Sequence, residues 1–127
     1  MRIVYKEWPI LGESSKLAAR AALAADKQGK YQEIHTKLMQ SGFIPSIGYI
    51  EYLAAELDMD WPRLSRDMAS DETTLALKRT STLADKFGFI GTPSLVVGRT
   101  IVQGAITRAQ LESLIEIEAA SELPSLC

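Results

Sequence analysis

Residues 83–98 read LADKFGFIGTPSLVVG, and the pattern of secondary structure changes within them. Apolar residues recur at helical spacing as far as Phe87, and Gly88 is placed to end that helix. The run Ser94–Val97 is typical of a strand, and the Gly-Arg pair after it favours a two-residue turn into a second strand, Thr100 to Val102. The stretch therefore predicts a helix end, a Gly-Thr-Pro loop and a β-hairpin.

The segments on either side complete the order of elements. Residues 14–87 carry successive amphipathic patterns and predict an all-helical block, whose first helix we expect Ser14 or Ser15 to cap. After the hairpin, Thr107 and Gln110 have the spacing of a capping box at the start of a last helix. At the other end, the β-branched and aromatic run Ile3–Tyr5 predicts a short strand. The order is strand, helical block, hairpin, helix.

Charge and hydropathy exclude several classes of function. The chain has 127 residues, with 14 Lys and Arg against 16 Asp and Glu, so no basic surface is expected to bind nucleic acid. No apolar run approaches the roughly 18 residues of a membrane span. Residues 1–7 lack the apolar core of a signal peptide, so these residues do not indicate a compartment.

The cysteine count restricts the chemistry further. Cys127 is the single cysteine of the chain. One thiol forms no internal disulfide, no Cys-x-x-Cys redox pair and no multi-cysteine metal site. We therefore expect no catalytic residue, no metal ligand and no cofactor in this chain.

Three stretches together resemble a known family. They are residues 2–12, the alanine-rich helix that leads into Gly29-Lys30-Tyr31, and residues 83–98. In these stretches the chain resembles the DsbA-like thioredoxin-fold thiol-disulfide oxidoreductases. The resemblance covers almost the whole chain. The resemblance implies an α/β chain with an incomplete thioredoxin-like fold, forming one domain over residues 1–127 with a helical insertion over about 14–87.

The resemblance also implies a function and a site. Family members exchange disulfides with extended protein or peptide substrates. By resemblance, the Thr92–Pro93 bond is cis, and Gly91, Thr92 and Pro93 form the substrate-binding loop that faces the catalytic cysteines.

The chain departs from the family pattern at its start. Family members carry a strand and a Cys-x-x-Cys helix before the strand that begins here, and that strand lies between the equivalents of Ile3–Tyr5 and Ser94–Val97. We expect an N-terminally shortened form that is catalytically inert, and periplasmic if the segment is missing. Open sheet edges predict a homo-oligomer or a loosely packed monomer.

Two other functions stay open. One is a non-catalytic peptide-binding or oligomer-forming module that recruits a strand to its open edges. The other is a relative of the glutathione-transferase-kappa and hydroxychromene-carboxylate isomerase group. His35, the one histidine, is expected to be a packed or surface residue with no catalytic pairing to Cys127, and Glu7 a solvated charge at a strand end.

Overall fold

The computed structural model describes residues 1–121. They belong to two compact units, the first over Met1–Leu83 and the second beginning at Ala84. The division falls within one long helix, so each unit is described by itself. The expected single domain over residues 1–127 stays a prediction.

Helices make up most of the first unit. They are α1 (Glu13–Asp26), α2 (Tyr31–Gln40), α3 (Ile47–Glu56), α4 (Trp61–Met68) and the larger part of α5 (Asp71–Phe87). The helical block predicted over residues 14–87 is confirmed. Pro62 lies in the first turn of α4, where a missing N–H leaves no hydrogen bond unmade.

The core of this unit is built around the alanines of α1. Ala21, Ala24 and Ala25 have no exposed surface, and α1 packs against α2, α3 and α4. Small side chains let the helix backbones approach closely, and larger residues from the other helices fill the space between them. Those fully buried residues are Ile34, Ile50, Leu53 and Leu64.

The start of α1 differs from the prediction. The helix begins at Glu13, and no side chain caps it. The Lys16 N–H already donates to the Gly12 carbonyl over 3.1 Å, so Ser14 and Ser15 lie inside the first turn. A residue inside the helix has helical backbone angles and cannot act as its N-cap, which is why that prediction was wrong.

The N-terminal segment also differs from the prediction. Residues 1–10 contain no strand, and Ile3 and Val4 are 66% and 55% exposed. A strand needs a neighbouring backbone to complete its ladder, and no strand among the described residues pairs with this segment. The predicted strand at Ile3–Tyr5 is therefore wrong for the described part of the chain.

The second unit contains the hairpin and the last helix. Strand β1 (Ser94–Val97) pairs antiparallel with β2 (Thr100–Gln103) in the register Ser94 with Gln103 and Val97 with Thr100. Helix α6 (Arg108–Ala120) begins with the predicted capping box. Both the hairpin and the box are confirmed.

Within residues 1–121, no helix has the length and hydropathy needed to cross a membrane. Cys127 lies outside the described residues.

Candidate functional site

The predicted Gly-Thr-Pro loop begins where α5 ends. Gly88 has φ +69°, a left-handed conformation that favours glycine. The Phe89 N–H donates back to the Ala84 carbonyl over 3.0 Å, and the Gly88 N–H donates to the Asp85 carbonyl over 3.1 Å. These bonds satisfy the last carbonyls of the helix and direct the chain into the loop.

Two backbone carbonyls fix the loop to the hairpin. The Ser94 hydroxyl donates to the Gly91 carbonyl over 2.6 Å. The Gly104 N–H donates to the Pro93 carbonyl over 2.9 Å, which extends the hairpin ladder by one pair beyond β1. The Thr92–Pro93 bond is cis, as the resemblance implies.

A third anchor comes from Gln103, which the sequence analysis did not single out. Its Oε1 accepts a hydrogen bond from the Ile90 N–H over 2.9 Å, and its Nε2 lies 3.5 Å from the Gly88 carbonyl. Gln103 is the last residue of β2 and lies opposite Ser94. Sequence alone offers no signal for it, because a polar residue at a strand end usually faces water.

The loop continues into an open edge of the hairpin. Backbone N–H and C=O groups alternate in direction along an antiparallel strand. Because the Pro93 carbonyl accepts from Gly104, the N–H and C=O groups of Leu95 and Val97 also point toward β2. Ser94 and Val96 then present their N–H and C=O groups on the other side. Among residues 1–121 the Thr92 backbone has no hydrogen-bond partner either, and its side chain is exposed.

The predicted site residues are thus adjacent and accessible. A Cβ added at Gly91 would meet no atom within 4 Å, so the space beside the loop is open. Chemically, the edge can donate and accept hydrogen bonds with an extended backbone. That Gly91, Thr92 and Pro93 bind a substrate stays a prediction.

The far end of the hairpin is held by a carboxylate from α6. Glu118 Oε2 accepts from the Arg99 N–H over 3.2 Å, and Oε1 accepts from the Thr100 hydroxyl. These hydrogen bonds, that of Thr100 first, hold the pKa of Glu118 below its ordinary value of 4.5. Sequence did not point to this contact, since Glu118 is one of several acidic residues in α6.

A separate polar cluster lies in the first unit. The Tyr31 hydroxyl donates to Glu7 Oε1, and His35 Nδ1 lies 3.5 Å from the same oxygen. Burial of Tyr31, and then its bond to Glu7, raise the pKa of the Tyr31 hydroxyl well above its ordinary value of 10.0.

The cluster corrects one prediction and agrees with another. The Glu7 side chain is only 18% exposed and hydrogen-bonded, so the prediction of a solvated charge was wrong. The Glu7 carboxylate contacts Tyr31 and His35 of α2, which are distant from Glu7 in sequence. The His35 ring stacks on Tyr31 at 5.3 Å, which agrees with a packed histidine. A pairing of His35 with Cys127 lies outside the described residues.

Known proteins are similar to the chain over nearly all of its length. The family described as the DSBA-like thioredoxin domain matches residues 2–116. A thioredoxin-like oxidoreductase from Silicibacter pomeroyi DSS-3 is 42% identical, with a TM-score of 0.88 over 94% of this chain and 69% of that protein. Among curated proteins, no sequence is significantly similar.

Two further structures agree. Proteus mirabilis ScsC in a compact conformation is 29% identical, with a TM-score of 0.80 over 94% of this chain and 66% of that one. A periplasmic thioredoxin-like protein from Salmonella enterica serovar Typhimurium is 25% identical, with a TM-score of 0.76 over 91% of this chain and 64% of that one. The chain thus spans about two thirds of the length of these proteins. The thioredoxin-like fold class and the DsbA resemblance are confirmed.

Proposed function

Because this chain belongs to the DSBA-like thioredoxin domain family, we propose that it serves thiol-disulfide exchange by docking extended protein substrates on the loop Gly91-Thr92-Pro93. The observation that supports this most is the backbone of Thr92, whose N–H and C=O groups have no partner among residues 1–121. A peptide in extended conformation can pair with these two groups. The open groups of Ser94 and Val96 lie on the edge where family members have the strand that precedes their Cys-x-x-Cys helix, so the docking site is the loop itself.

The exchange reaction itself needs two thiols. A thiolate attacks one sulfur of a substrate disulfide, forms a mixed disulfide and releases the other substrate sulfur as a thiolate. A second thiolate must then attack the mixed disulfide to free the first cysteine. Cys127 is the single cysteine among the 127 residues, so these residues alone stop at the mixed disulfide and do not turn over.

The partners and compartment follow from the same proposal. The substrates are protein or peptide thiols and disulfides presented as extended segments. The name of the Salmonella relative, a periplasmic thioredoxin-like protein, supports the periplasm as the compartment. An oxidising compartment also suits disulfide exchange with secreted proteins.

Docking can be tested on the chain as it is. We expect an unlabelled extended peptide to shift the NMR amide signals of Gly91 and Thr92 most strongly in the ¹⁵N-labelled chain. Shifts at Leu95 and Val97 should be smaller, because their N–H groups already face β2. Equal shifts along both edges, or shifts confined to the first unit, would contradict the docking site.

The expected lack of catalytic activity in this chain is tested separately. We expect the 127-residue chain and its Cys127→Ser variant to leave the dithiothreitol reduction of insulin at the uncatalysed rate. A chimera that places the strand and Cys-x-x-Cys helix of a DsbA-like protein before Met1 is expected to accelerate it. Turnover by Cys127→Ser without the added segment would overturn the argument from cysteine chemistry.

A non-catalytic binding module is the second candidate. The same open edge of β1 favours it, because two copies of the chain can pair through Ser94 and Val96. Light scattering distinguishes the oligomer-forming module from the substrate-docking function. A dimer whose amide shifts at those residues depend on protein concentration supports the oligomer-forming module, whereas a monomer that binds added peptide supports substrate docking.

A further inference from the structure

The N-terminal segment, residues 1–10, is attached to the first unit with little burial. Residues 1–6 are exposed, and no residue of the segment is fully buried. The segment also contains no helix or strand. A segment with so little buried surface opens at a low free-energy cost, so a single polar contact has a large share in deciding whether it stays attached.

One polar contact of the segment is a carboxylate shared by two side chains of α2. The Tyr31 hydroxyl donates to Glu7 Oε1, and His35 Nδ1 lies 3.5 Å from the same oxygen. The side chains of His35 and Glu7 are 25% and 18% exposed, so water and salt screen this pair only in part. The distance is long for a hydrogen bond from a neutral ring, but it lies within the range of an ion pair.

The other groups around the His35 ring are phenols. Tyr31 stacks on the ring with 5.3 Å between centroids, and Tyr5 of the segment lies at 5.4 Å. Burial, and then the bond to Glu7, raise the pKa of the Tyr31 hydroxyl, and Asp26 at the end of α1 is the last and smallest cause. Within residues 1–121, Glu7 is the carboxylate at ion-pair distance from His35.

We propose that Glu7 and His35 form a proton-dependent latch, which fastens the N-terminal segment to α2 when His35 is protonated and loosens it when His35 is neutral. A histidine ordinarily changes its charge between about pH 5 and 8. Protonation converts the long neutral contact into an ion pair with the Glu7 carboxylate, so the attachment strengthens as the pH falls through this range. The latch goes beyond the proposed docking function and needs no peptide.

The attachment should weaken again in stronger acid. A glutamate ordinarily takes up a proton near about pH 4.3, and the neutral carboxyl group forms no ion pair. Stabilisation that needs a protonated histidine is lost as the pH rises, whereas stabilisation that needs an ionised carboxylate is lost as the pH falls. The two opposite dependences predict that the segment is held most firmly between about pH 4.5 and 6.5.

The experiment measures the mobility of the segment in the full 127-residue chain by ¹⁵N relaxation. Backbone order parameters at Val4, Tyr5 and Lys6 report attachment, with about 0.85 for a rigid backbone and less than about 0.6 for a flexible one. We expect them to fall by about 0.1 to 0.2 between about pH 5.5 and pH 7.5. His35 is the single histidine of the chain, so its ring ¹³C signal follows the protonation in the same samples.

Four variants assign the response to the pair. His35→Gln should abolish the change between about pH 5.5 and pH 7.5 and keep the loosening in stronger acid. Glu7→Gln should abolish both changes, although the His35 ring still titrates. Tyr31→Phe removes the hydroxyl donor and keeps the pair, so the change above about pH 5.5 should remain. Glu33→Gln, at an exposed position of the same helix, is the matched control and should behave as the parent chain.

Each result supports or contradicts the latch. Order parameters that stay constant while the His35 ring titrates would contradict it. A pH response that persists in His35→Gln, or one that disappears in Glu33→Gln, would assign the effect to another group and contradict it too. The amide signals of Ala21 and Ala24, which are buried in α1, show in every sample whether the first unit is folded, so a loosened segment is distinguished from an unfolded chain.

Discussion

The Glu118 carboxylate in α6 accepts a hydrogen bond from the Arg99 backbone N–H, with 3.2 Å between Oε2 and the nitrogen. Arg99 is the second residue of the two-residue turn that joins β1 to β2. The contact fixes the turn end of the hairpin, while Gln103 and Gly104 fix the loop at the other end. The hairpin is thus restrained at its turn by a carboxylate from α6, and at its open end by its own residues Gln103 and Gly104.

Glu118→Gln is expected to weaken the hairpin at neutral pH, because a neutral amide accepts less strongly from Arg99 and Thr100 than a carboxylate does. Faster hydrogen exchange at Val97 would report the change. Glu116→Gln, an exposed neighbour on the same helix, is the matched control. Equal exchange rates in the two variants would show that Glu118 does not hold the turn.

The same contact predicts a pH dependence. The folded chain lowers the pKa of Glu118 below 4.5, so its stabilising contribution is present above that pH and is lost as pH falls through the lowered pKa. The difference in Val97 exchange between the parent chain and Glu118→Gln should therefore shrink below about pH 4.5. A difference that grows on acidification would reverse the assigned sign.

Two glycines should respond differently to alanine. Gly98 has φ +58°, and an added Cβ would lie 2.5 Å from Glu118 Oε2, so Gly98→Ala is expected to destabilise the hairpin by about 1–3 kcal/mol. Gly91→Ala meets open space and should stay within about 0.5 kcal/mol. Local free energies from hydrogen exchange at Leu95 and Val97 measure both. Similar values for the two variants would contradict the assigned geometry.

Asp58 ends α3 in a conformation that glycine adopts more readily. Its φ is +54°, and the Met59 N–H donates to the Ala54 carbonyl over 2.8 Å. Asp58→Gly is therefore expected to stabilise the helical unit by a few tenths of a kcal/mol up to about 1 kcal/mol. Thermal unfolding followed by circular dichroism checks it. Destabilisation by more than that amount would mean that the aspartate side chain itself stabilises the turn.

Tyr31 is expected to remain protonated well above pH 10. Burial and the bond to Glu7 raise the pKa of its hydroxyl, so the stabilisation is present below pH 10 and is lost as pH rises through the folded pKa. NMR of ¹³C-labelled tyrosine follows the ionisation directly. Glu7→Gln should lower the midpoint, and Glu33→Gln, an exposed residue of α2, should not. An unchanged midpoint in Glu7→Gln would leave burial as the whole cause.

Local sequence patterns predicted those parts of the fold whose cause is local. The end of α5 at Gly88 and the Thr107 capping box depend on residues within about five positions of one another, and the hairpin from Ser94 pairs residues at most nine positions apart. Their backbone conformations and hydrogen bonds follow from the residues present. The prediction of a strand at Ile3–Tyr5 was wrong, because a high β-propensity makes a segment suitable for a sheet but does not supply the neighbouring strand with which it must pair.

The amino-acid sequence by itself determined the limits of the chemistry: a single cysteine, a nearly neutral charge and a Gly-Thr-Pro loop before a hairpin. Tertiary structure alone decided which groups hold that loop. Gln103 binds Ile90 across 13 positions, Glu118 binds Arg99 across 19, and Tyr31 binds Glu7 across 24. No local pattern encodes such pairs, because the same polar residues at a strand end or on a helix surface are equally stable in water until the folded backbone brings a partner within hydrogen-bond distance.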